Sequence, residues 1–259
     1  MRQIIKTANL AIGYKGKAIA RNIDLTLEEG MVTALIGRNG VGKSTLIKTL
    51  TKLQTAIEGE VTIEGKRLEE YSRKELSTKI AVVTTEQQIS GGLKLREMVA
   101  LGRLPYLGRL GLLKKEDEQI VNDALESLHI SHKANSYTAE LSDGERQKGM
   151  IARGLVQQTP VIIMDEPFSF LDVAARIEIL AMIKEIARKQ DKAILFSTHE
   201  VTQALRMADK LWVFADREGD SVVEEGTPED TIEKGLIDKL FPGSKVKFDP
   251  DIIDFRYTP

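Results

Sequence analysis

A glycine-rich segment near the N-terminus has the spacing of a loop that binds phosphate groups. It follows the pattern G-x-x-x-x-G-K-S between a short apolar run, Met31–Ile36, and a stretch of helical character, Lys43–Leu53. Glycine lets the backbone approach phosphate oxygens closely, and the N–H groups at a helix start point at the anion. The residues expected to contact the phosphates are Gly37, Arg38, Asn39, Gly40, Val41, Gly42, Lys43, Ser44 and Thr45.

Two side chains of this loop have specific chemical roles. The ammonium group of Lys43 can reach the β- and γ-phosphates of a nucleoside triphosphate. The hydroxyl of Ser44 can bind Mg²⁺, a cation that prefers oxygen ligands. The segment therefore predicts a site for a triphosphate together with Mg²⁺.

A pair of carboxylates directly follows another apolar run. Asp165 and Glu166 come after Val161–Met164, which has the length and composition of a buried strand. Parallel sheets bind ligands at the carboxyl ends of their strands. Asp165 is then placed to hold Mg²⁺, directly or through water, and Glu166 to polarise a water molecule for attack on the γ-phosphate. For the two residues taken alone, a solvated pair that caps a strand is the alternative.

The run Leu141–Gln147 has both a structural explanation and a family resemblance. Ser142 and Glu145 have the S-x-x-E spacing of a capping box that opens a helix. Between a phosphate loop and an acidic strand, the run also resembles the Leu-Ser-Gly-Gly-Gln signature of the ATP-binding-cassette (ABC) family. The chain keeps the first, second and fourth residues, Leu141, Ser142 and Gly144, and departs from the signature at Asp143 and Glu145.

The resemblance to the ABC family covers nearly the whole chain and implies roles for further residues. Tyr14 matches the aromatic residue that stacks on adenine, and His199 matches the histidine that contacts the γ-phosphate. Ser169–Asp172 resembles the D-loop, which lies across the dimer interface. Ser142 and Gly144 would bind the γ-phosphate held by a second subunit, so a two-fold dimer would sandwich two ATP molecules. The implied catalytic residues are Glu166, His199 and Lys43, and the implied nucleotide contacts outside the loop are Tyr14, Ser142, Gly144 and Asp172.

One family motif has no unique match in this chain. The family carries a glutamine at the end of the strand Ile80–Val83, in a loop that senses both Mg²⁺ and the membrane partner. Counting back from Leu95 places this position at Thr85, and Glu86 and Gln87 follow it. Any of the three could supply the oxygen. The expected metal ligands are therefore Ser44 and Asp165, with Glu86 and Gln87 as candidates from this loop.

The elements that must position these residues alternate between strands and helices. Ile4–Ala11 and Ile23–Leu27 read as strands before the phosphate loop, and Gly59–Ile63, Ile80–Val83 and Ala193–Ser197 read as strands after it. Such alternation predicts an α/β fold with a mostly parallel sheet covered on both faces. The family resemblance makes this a P-loop NTPase of the ABC type, with an N-terminal antiparallel β-subdomain and an inserted helical subdomain.

We expect one ABC nucleotide-binding domain over residues 1–259. Its core lobe would comprise about 1–86 and 159–215, and its helical subdomain about 87–158, where the apolar residues largely follow helical spacing. The C-terminal extension, 216–259, is charged and contains several prolines and glycines. It could be regulatory or a packed extension.

The composition excludes several classes of protein. Of the 259 residues, 42% are hydrophobic and 29% are charged, as is ordinary for a soluble protein. The formal net charge of −2 gives no global attraction to nucleic acid or to an anionic membrane surface. The absence of cysteine excludes disulfides and thiolate metal sites. We recognise no secretory signal and no apolar run near the roughly 20 residues that span a bilayer, so a membrane role would need another chain.

We predict an ATP-binding and ATP-hydrolysing subunit that powers an ABC importer. The run Met98–Tyr106 resembles the Ala-x-Gly-Arg-x-Pro run of the subfamily that imports iron-siderophore, haem and cobalamin complexes. An ordinary helix that ends at glycine and proline is the alternative for this run. The resemblance implies a polytopic membrane permease and an upstream solute-binding protein as partners. It also implies a cytoplasmic protein, peripheral on the inner face of the cell membrane.

Two other functions compete with the importer. The first is a soluble ABC ATPase that acts in assembly or remodelling without a permease. The second is a structural head ATPase of the DNA-repair type, which inserts a long coiled coil between phosphate loop and signature. The insert of this chain is short and has no sustained heptads, which disfavours the second class.

Overall fold

A computed structural model describes residues 2–84, 92–108, 111–169, 171–217, 220–241 and 243–257. Within these ranges the chain forms β-strands with the following bounds: β1 Gln3–Tyr14, β2 Lys17–Ile23, β3 Thr26–Glu28, β4 Val32–Ile36, β5 Glu58–Ile63, β6 Lys66–Arg67, β7 Ile80–Thr84, β8 Val161–Asp165, β9 Ala193–Thr198, β10 Lys210–Arg217, β11 Asp220–Gly226, β12 Val246–Asp249 and β13 Asp254–Tyr257.

The α-helices are α1 Lys43–Leu50, α2 Arg73–Leu76, α3 Leu95–Ala100, α4 Lys115–Ser127, α5 Asp143–Leu155, α6 Val173–Lys189, α7 Val201–Met207 and α8 Pro228–Glu233. Short 3-10 turns occupy Leu68–Glu70, Leu101–Tyr106, Ser131–Lys133, Thr138–Glu140 and Asp238–Leu240. In the part of the chain described here, no helix has the length and apolar character needed to cross a membrane.

One large sheet connects the two halves of the molecule. Its strand order is β6-β5-β1-β2-β11-β10-β4-β9-β8-β7, and β3 pairs with β1. Strands β10, β4, β9, β8 and β7 are parallel neighbours, whereas β1 is antiparallel to β2, β3 and β5. The sheet therefore has a parallel part, as the alternating pattern predicts, and an antiparallel N-terminal part, as the family resemblance implies.

The central parallel strands are apolar because both of their faces are covered. Every residue of β4 and β9 is buried, and so are the first four residues of β8. Strands of parallel sheets read as continuous hydrophobic runs for this reason. Two hydrophobic cores result. One includes Leu95, Met98 and Leu155 from the helices between β7 and β8, and the other includes Leu46 of α1 and Trp212 of β10.

The predicted strand Ile23–Leu27 is wrong in its bounds, because the structure divides it. Strand β2 ends at Ile23, and β3 begins only at Thr26. Asp24 and Leu25 lie between the two strands, just after an irregular backbone conformation at Asn22, whose φ is 51°. The hydroxyl of Thr7 then donates to the carbonyl of Ile23 and accepts from the N–H of Leu25, each at 2.8 Å. These two bonds satisfy the backbone at the break.

The C-terminal segment packs against the domain. Strand β11 pairs antiparallel with β10 inside the main sheet, beyond residue 215, where the core lobe was expected to end. Strands β12 and β13 form a separate hairpin in which Phe255 makes edge-to-face contacts with Phe241 and Phe248. The hairpin region is tied to α7, since Arg206 donates to the carbonyl of Ile252 at 3.2 Å. This arrangement fits the packed alternative for the extension.

The run Met98–Tyr106 has a structural role in the helical region. Arg103 is buried and forms an ion pair with buried Asp117 at the start of α4, with Nε and Oδ1 2.8 Å apart. Its guanidinium also donates to the carbonyl of Val156 at 2.7 Å. Arg103 thus links the 3-10 turn, α4 and the end of α5 through one side chain. The other carboxylate oxygen of Asp117 accepts from the N–H of Lys114 at 3.0 Å.

We predict that Asp117→Asn destabilises the protein, because it leaves the Arg103 charge buried without its counter-ion. Loss of one partner of a buried pair lowers the free energy of unfolding by about 3–5 kcal/mol. The N–H of Lys114 holds the pKa of Asp117 below its usual range, burial opposes this, and Arg103 lowers it further. A carboxyl with a lowered pKa stabilises the folded state at neutral pH, and this stabilisation is lost as the pH falls through the folded pKa.

Urea unfolding of wild type and variant at neutral and acidic pH checks this prediction. Glu118→Gln is the matched control, because Glu118 neighbours Asp117 on α4 but is exposed. The wild type and Asp117→Asn should differ at neutral pH and converge in acid. Equal unfolding midpoints at neutral pH would show that the pair contributes no stability.

Candidate functional site

The phosphate loop joins the buried strand β4 to helix α1. Gly42 precedes the helix with a φ of 122°, a conformation that is open to glycine and strained for other residues. Gly37 lies against the core, where an added Cβ would come within 2.8 Å of the Cβ of Phe214. Because Gly42 has no side chain to cap the helix, the first N–H groups of α1 remain available to an anion.

Lys43 is the buried cation of this loop. Only 6% of the residue is exposed, and its Nζ donates to the carbonyl of Gly37 at 2.9 Å. The same Nζ lies 3.2 Å from Oε1 of Glu166. The lysine therefore connects the phosphate loop to the acidic pair that follows β8, although more than a hundred residues separate the two motifs in sequence.

An open cleft of about 490 Å³ lies over the loop. It is bordered by Tyr14, Ile19, Asn39, Gly40, Gly42, Lys43, Ser44, Thr45, Glu166, Ser169 and His199. Most of the residues predicted from the loop pattern thus surround one space, together with Glu166 and His199 from two other strands. Tyr14 is half exposed at its edge, and its hydroxyl lies 3.2 Å from the hydroxyl of Thr45. Stacking of Tyr14 on adenine stays a prediction.

The three residues expected to act in catalysis meet at this cleft. Glu166 follows β8, and its Oε2 lies 3.0 Å from Nδ1 of His199, which follows β9. Its other oxygen faces Lys43, as described above. The Glu166 carboxylate thus lies between Lys43, which follows β4, and His199, which follows β9. Such a group is placed to hold a water molecule beside a bound phosphate.

The oxygen ligands expected for Mg²⁺ suit that ion. Ser44 exposes a hydroxyl on the first turn of α1, and Asp165 offers a partly buried carboxylate. One oxygen of Asp165, Oδ1, accepts from the hydroxyl of Ser197 at 2.6 Å. No cluster of three or more acidic or histidine side chains suited to a metal occurs among the described residues. Mg²⁺ needs none, because it is commonly held by one or two protein oxygens and the substrate phosphates.

The loop after β7 was expected to supply an oxygen ligand from Thr85, Glu86 or Gln87. These three residues lie outside the described residues, so the choice between them stays open.

The segment resembling the family signature forms the expected capping box. Ser142 caps α5, its Oγ accepts from the N–H of Glu145 at 3.3 Å, and Glu145 accepts from the N–H of Ser142 at 2.9 Å. Gly144 lies in the first turn, where an added Cβ would meet the Cβ of Ala175 at 3.8 Å. Asp172 caps α6 in the same way, because it accepts from the N–H of Ala175 at 2.8 Å. Ser142, Gly144 and Asp172 are not among the residues that border the cleft.

Both acidic departures from the family signature have basic partners. Asp143 lies 2.9 Å from Arg146, and Glu145 lies 3.1 Å from Lys133. The N–H of Ser142 holds the pKa of Glu145 below its usual range; burial opposes this, and Lys133 and the Ser142 hydroxyl lower it further. Glu145 is therefore an anion at neutral pH, and the two pairs balance the charge that the departures add.

Two residues of the site were not among those predicted from the sequence motifs. Ser197, which contacts both Asp165 and Glu166, is one, and Ile19 at the edge of the cleft is another. A hydroxyl in an apolar strand, two residues before His199, was a usable signal for Ser197. Nothing in the sequence distinguishes Ile19 from other strand residues.

The fold and the phosphate loop define a P-loop nucleotide-binding protein, and comparison with known proteins narrows the class. The model of the ABC transporter family matches residues 20–169. The ferric enterobactin transport ATP-binding protein FepC of Escherichia coli is 33% identical, with 92% of this chain and 86% of FepC covered. The iron(3+)-hydroxamate import ATP-binding protein FhuC of Bacillus subtilis is 31% identical, with 92% and 87% covered. A solved ATP-binding cassette of an ABC transporter, in its ADP conformation, has a TM-score of 0.79 at 27% identity, with 92% of this chain and 96% of that chain covered.

The chain belongs to the ABC transporter family. It is an ATP-binding subunit of that family, and these subunits are ATPases coupled to transport. The predictions of the family, the fold class and the ATPase activity are thereby confirmed. The roles of single residues in the cleft stay predictions.

We predict that Lys43→Ala weakens ATP binding, because the buried cation of the loop is lost. A hydrogen bond to a charged group contributes about 1.5–3 kcal/mol, which corresponds to a Kd roughly 10–100-fold higher. Titration with a fluorescent ATP analogue measures the change. Lys48→Ala is the control, since Lys48 lies exposed on the same helix. An unchanged ATP affinity of Lys43→Ala would show that Lys43 does not contribute to nucleotide binding.

Proposed function

We propose that this chain powers an ABC importer for iron-siderophore, haem or cobalamin-type compounds. The observation that best supports the ATPase chemistry is the position of the Glu166 carboxylate beside the phosphate loop. It lies 3.2 Å from Lys43 Nζ and 3.0 Å from His199 Nδ1. Support for the substrate class comes from the similarity to FepC and FhuC, whose names specify ferric enterobactin and iron(3+)-hydroxamate. It also comes from the run Met98–Tyr106, which resembles that importer subfamily.

In this proposal each residue of the cleft has its own role in ATP binding or hydrolysis. The loop N–H groups and Lys43 bind the phosphates of ATP, and Tyr14 stacks on the adenine. Glu166 orients a water molecule and accepts its proton as the water attacks the γ-phosphate. His199 donates a hydrogen bond to the γ-phosphate. Ser44 and Asp165 would hold Mg²⁺, which neutralises charge on the β- and γ-phosphates when bound.

One chain supplies only part of a complete site. In this proposal Ser142, Gly144 and Asp172 belong to the other part, which is consistent with their position away from the cleft in their own chain. We propose a two-fold homodimer in which these residues face the ATP held by the partner. Closure of the dimer then excludes water and completes the contacts to the γ-phosphate. Loss of the γ-phosphate on hydrolysis removes the bridge, and the dimer opens.

An apolar groove supports the proposed membrane partner. Two neighbouring cavities of about 570 and 250 Å³ share Ser77 and Val82, between the α1–α2 region and the helical region. Leu53 and Leu104 lie at this groove and are 70% and 58% exposed. Exposed apolar patches of this kind mark interaction sites. We propose that a cytoplasmic segment of a polytopic permease docks there, which places the chain on the inner face of the membrane, with a solute-binding protein upstream.

We predict that Glu166→Gln binds ATP but hydrolyses it about 10²–10⁴-fold more slowly, as expected for loss of a general base. Because the γ-phosphate persists, the variant should accumulate as a dimer with Mg-ATP. Phosphate release and light scattering measure the two effects. Glu185→Gln is the control, because Glu185 is an exposed residue of α6 paired with Lys189. Full turnover by Glu166→Gln would refute the role of Glu166.

The permease proposal is tested with Glu166→Gln in its native membranes. We expect a polytopic permease to copurify under mild detergent with Mg-ATP and to be identified by mass spectrometry. Leu104→Asp, added to the same chain, should abolish this copurification, because it places a charge in the groove. Leu112→Asp is the control, since Leu112 is 72% exposed and does not border the groove. Recovery of soluble partners alone would instead support a soluble assembly or remodelling ATPase.

A further inference from the structure

Ser197 of strand β9 carries a hydroxyl group to which the sequence motifs assign no role. All six residues of the strand are buried, and Ser197 is completely shielded from solvent. Burial of a hydroxyl is unfavourable unless it is hydrogen-bonded. The adjacent strand β4 offers a contrast, because its Thr33 is equally buried but its hydroxyl has no hydrogen-bond partner among the described residues.

The Ser197 hydroxyl makes two short hydrogen bonds to consecutive residues at the end of β8. It donates to Oδ1 of Asp165 at 2.6 Å and accepts from the backbone N–H of Glu166 at 2.8 Å. A backbone N–H can only donate, so the single proton of the hydroxyl must be directed to Asp165. One buried oxygen therefore contacts both the proposed metal ligand and the proposed general base.

The backbone of Glu166 needs such a contact. Its φ of 47° lies in the left-handed region, which residues with a Cβ rarely adopt. Strained backbone of this kind persists at functional sites only where the surroundings hold it. The turn directs the Glu166 carboxylate to Lys43 and His199, while the carboxylate of Asp165 bonds to Ser197. The two adjacent carboxylates are thereby separated.

We propose that Ser197 is a positioning residue that orients Asp165 and Glu166 together. Its proton fixes the Asp165 carboxylate, and its lone pair anchors the backbone that aims Glu166. This inference rests on the proposed function, in which Asp165 binds Mg²⁺ and Glu166 activates water. Groups that orient a metal ligand by hydrogen bonding affect metal affinity and activity although they touch neither metal nor substrate.

A set of matched variants separates the hydroxyl from the volume of the side chain. Ser197→Thr keeps the hydroxyl and adds a methyl group, and Ser197→Val has nearly the same shape as threonine without the hydroxyl. Ser197→Ala removes the hydroxyl without adding volume. Thr33→Val is the control, because it removes a buried hydroxyl from the adjacent strand that has no hydrogen-bond partner among the described residues.

Three measurements are made on each full-length variant. Steady-state phosphate release gives kcat and KM. Titration with Mn²⁺ in the presence of a non-hydrolysable ATP analogue, followed by electron paramagnetic resonance, gives metal affinity without turnover. Thermal unfolding reports the fold.

We expect Ser197→Ala and Ser197→Val to lose about 10–100-fold in kcat and in Mn²⁺ affinity. Ser197→Thr and Thr33→Val should stay close to wild type in both.

The inference is overturned if Ser197→Ala hydrolyses ATP and binds Mn²⁺ as Thr33→Val does. It is also overturned if Ser197→Thr and Ser197→Val are equally impaired, because side-chain volume would then be the cause. Full turnover by Glu166→Gln would refute the proposed roles of the site residues instead, so the two failures are distinguishable.

Discussion

The position of the Glu166 carboxylate between Lys43 and His199 depends on the parallel register of three neighbouring strands. Strands β4, β9 and β8 lie side by side, and Ile36 pairs with Thr198 while Met164 pairs with Phe196. All three strands therefore end at one edge of the sheet, where the phosphate loop, the acidic pair and His199 begin. A shift of one residue in either pairing would turn alternate side chains to the opposite face and separate the three groups.

The hydrophobic cores maintain this register and also shape the loop. Phe214 of β10 is buried, lies beneath Gly37 and contacts the space around Gly42. The phosphate loop therefore packs directly on the hydrophobic core through Phe214. On the other face of the sheet, Phe168 packs edge-to-face on Phe196 of β9, with ring centroids 5.4 Å apart. The segment after Glu166 is therefore fixed to the strand that carries Ser197.

The proposed second half of the site is held by local hydrogen bonds more than by the sheet. Ser142 and Asp172 each cap the helix that follows them, so two helix starts present polar groups away from the cleft. Arg176 contacts both the segment before α6 and the segment after β9, because it donates to the carbonyl of Leu171 and pairs with Glu200 at 3.0 Å. Arg176 therefore links the start of α6 to the residue that follows His199.

Local patterns in the sequence determined much of this protein. The phosphate loop, the strand before Asp165 and the capping box at Ser142 each follow from backbone geometry within a few residues, so spacing alone predicts them. The α/β class follows from alternating apolar runs. Tertiary structure alone decided the rest. Strand order brought Lys43, Glu166 and His199 together, set Ser197 behind both carboxylates, and paired Glu145 with Lys133. These contacts join residues far apart in sequence, and no local periodicity encodes which strand lies next to which.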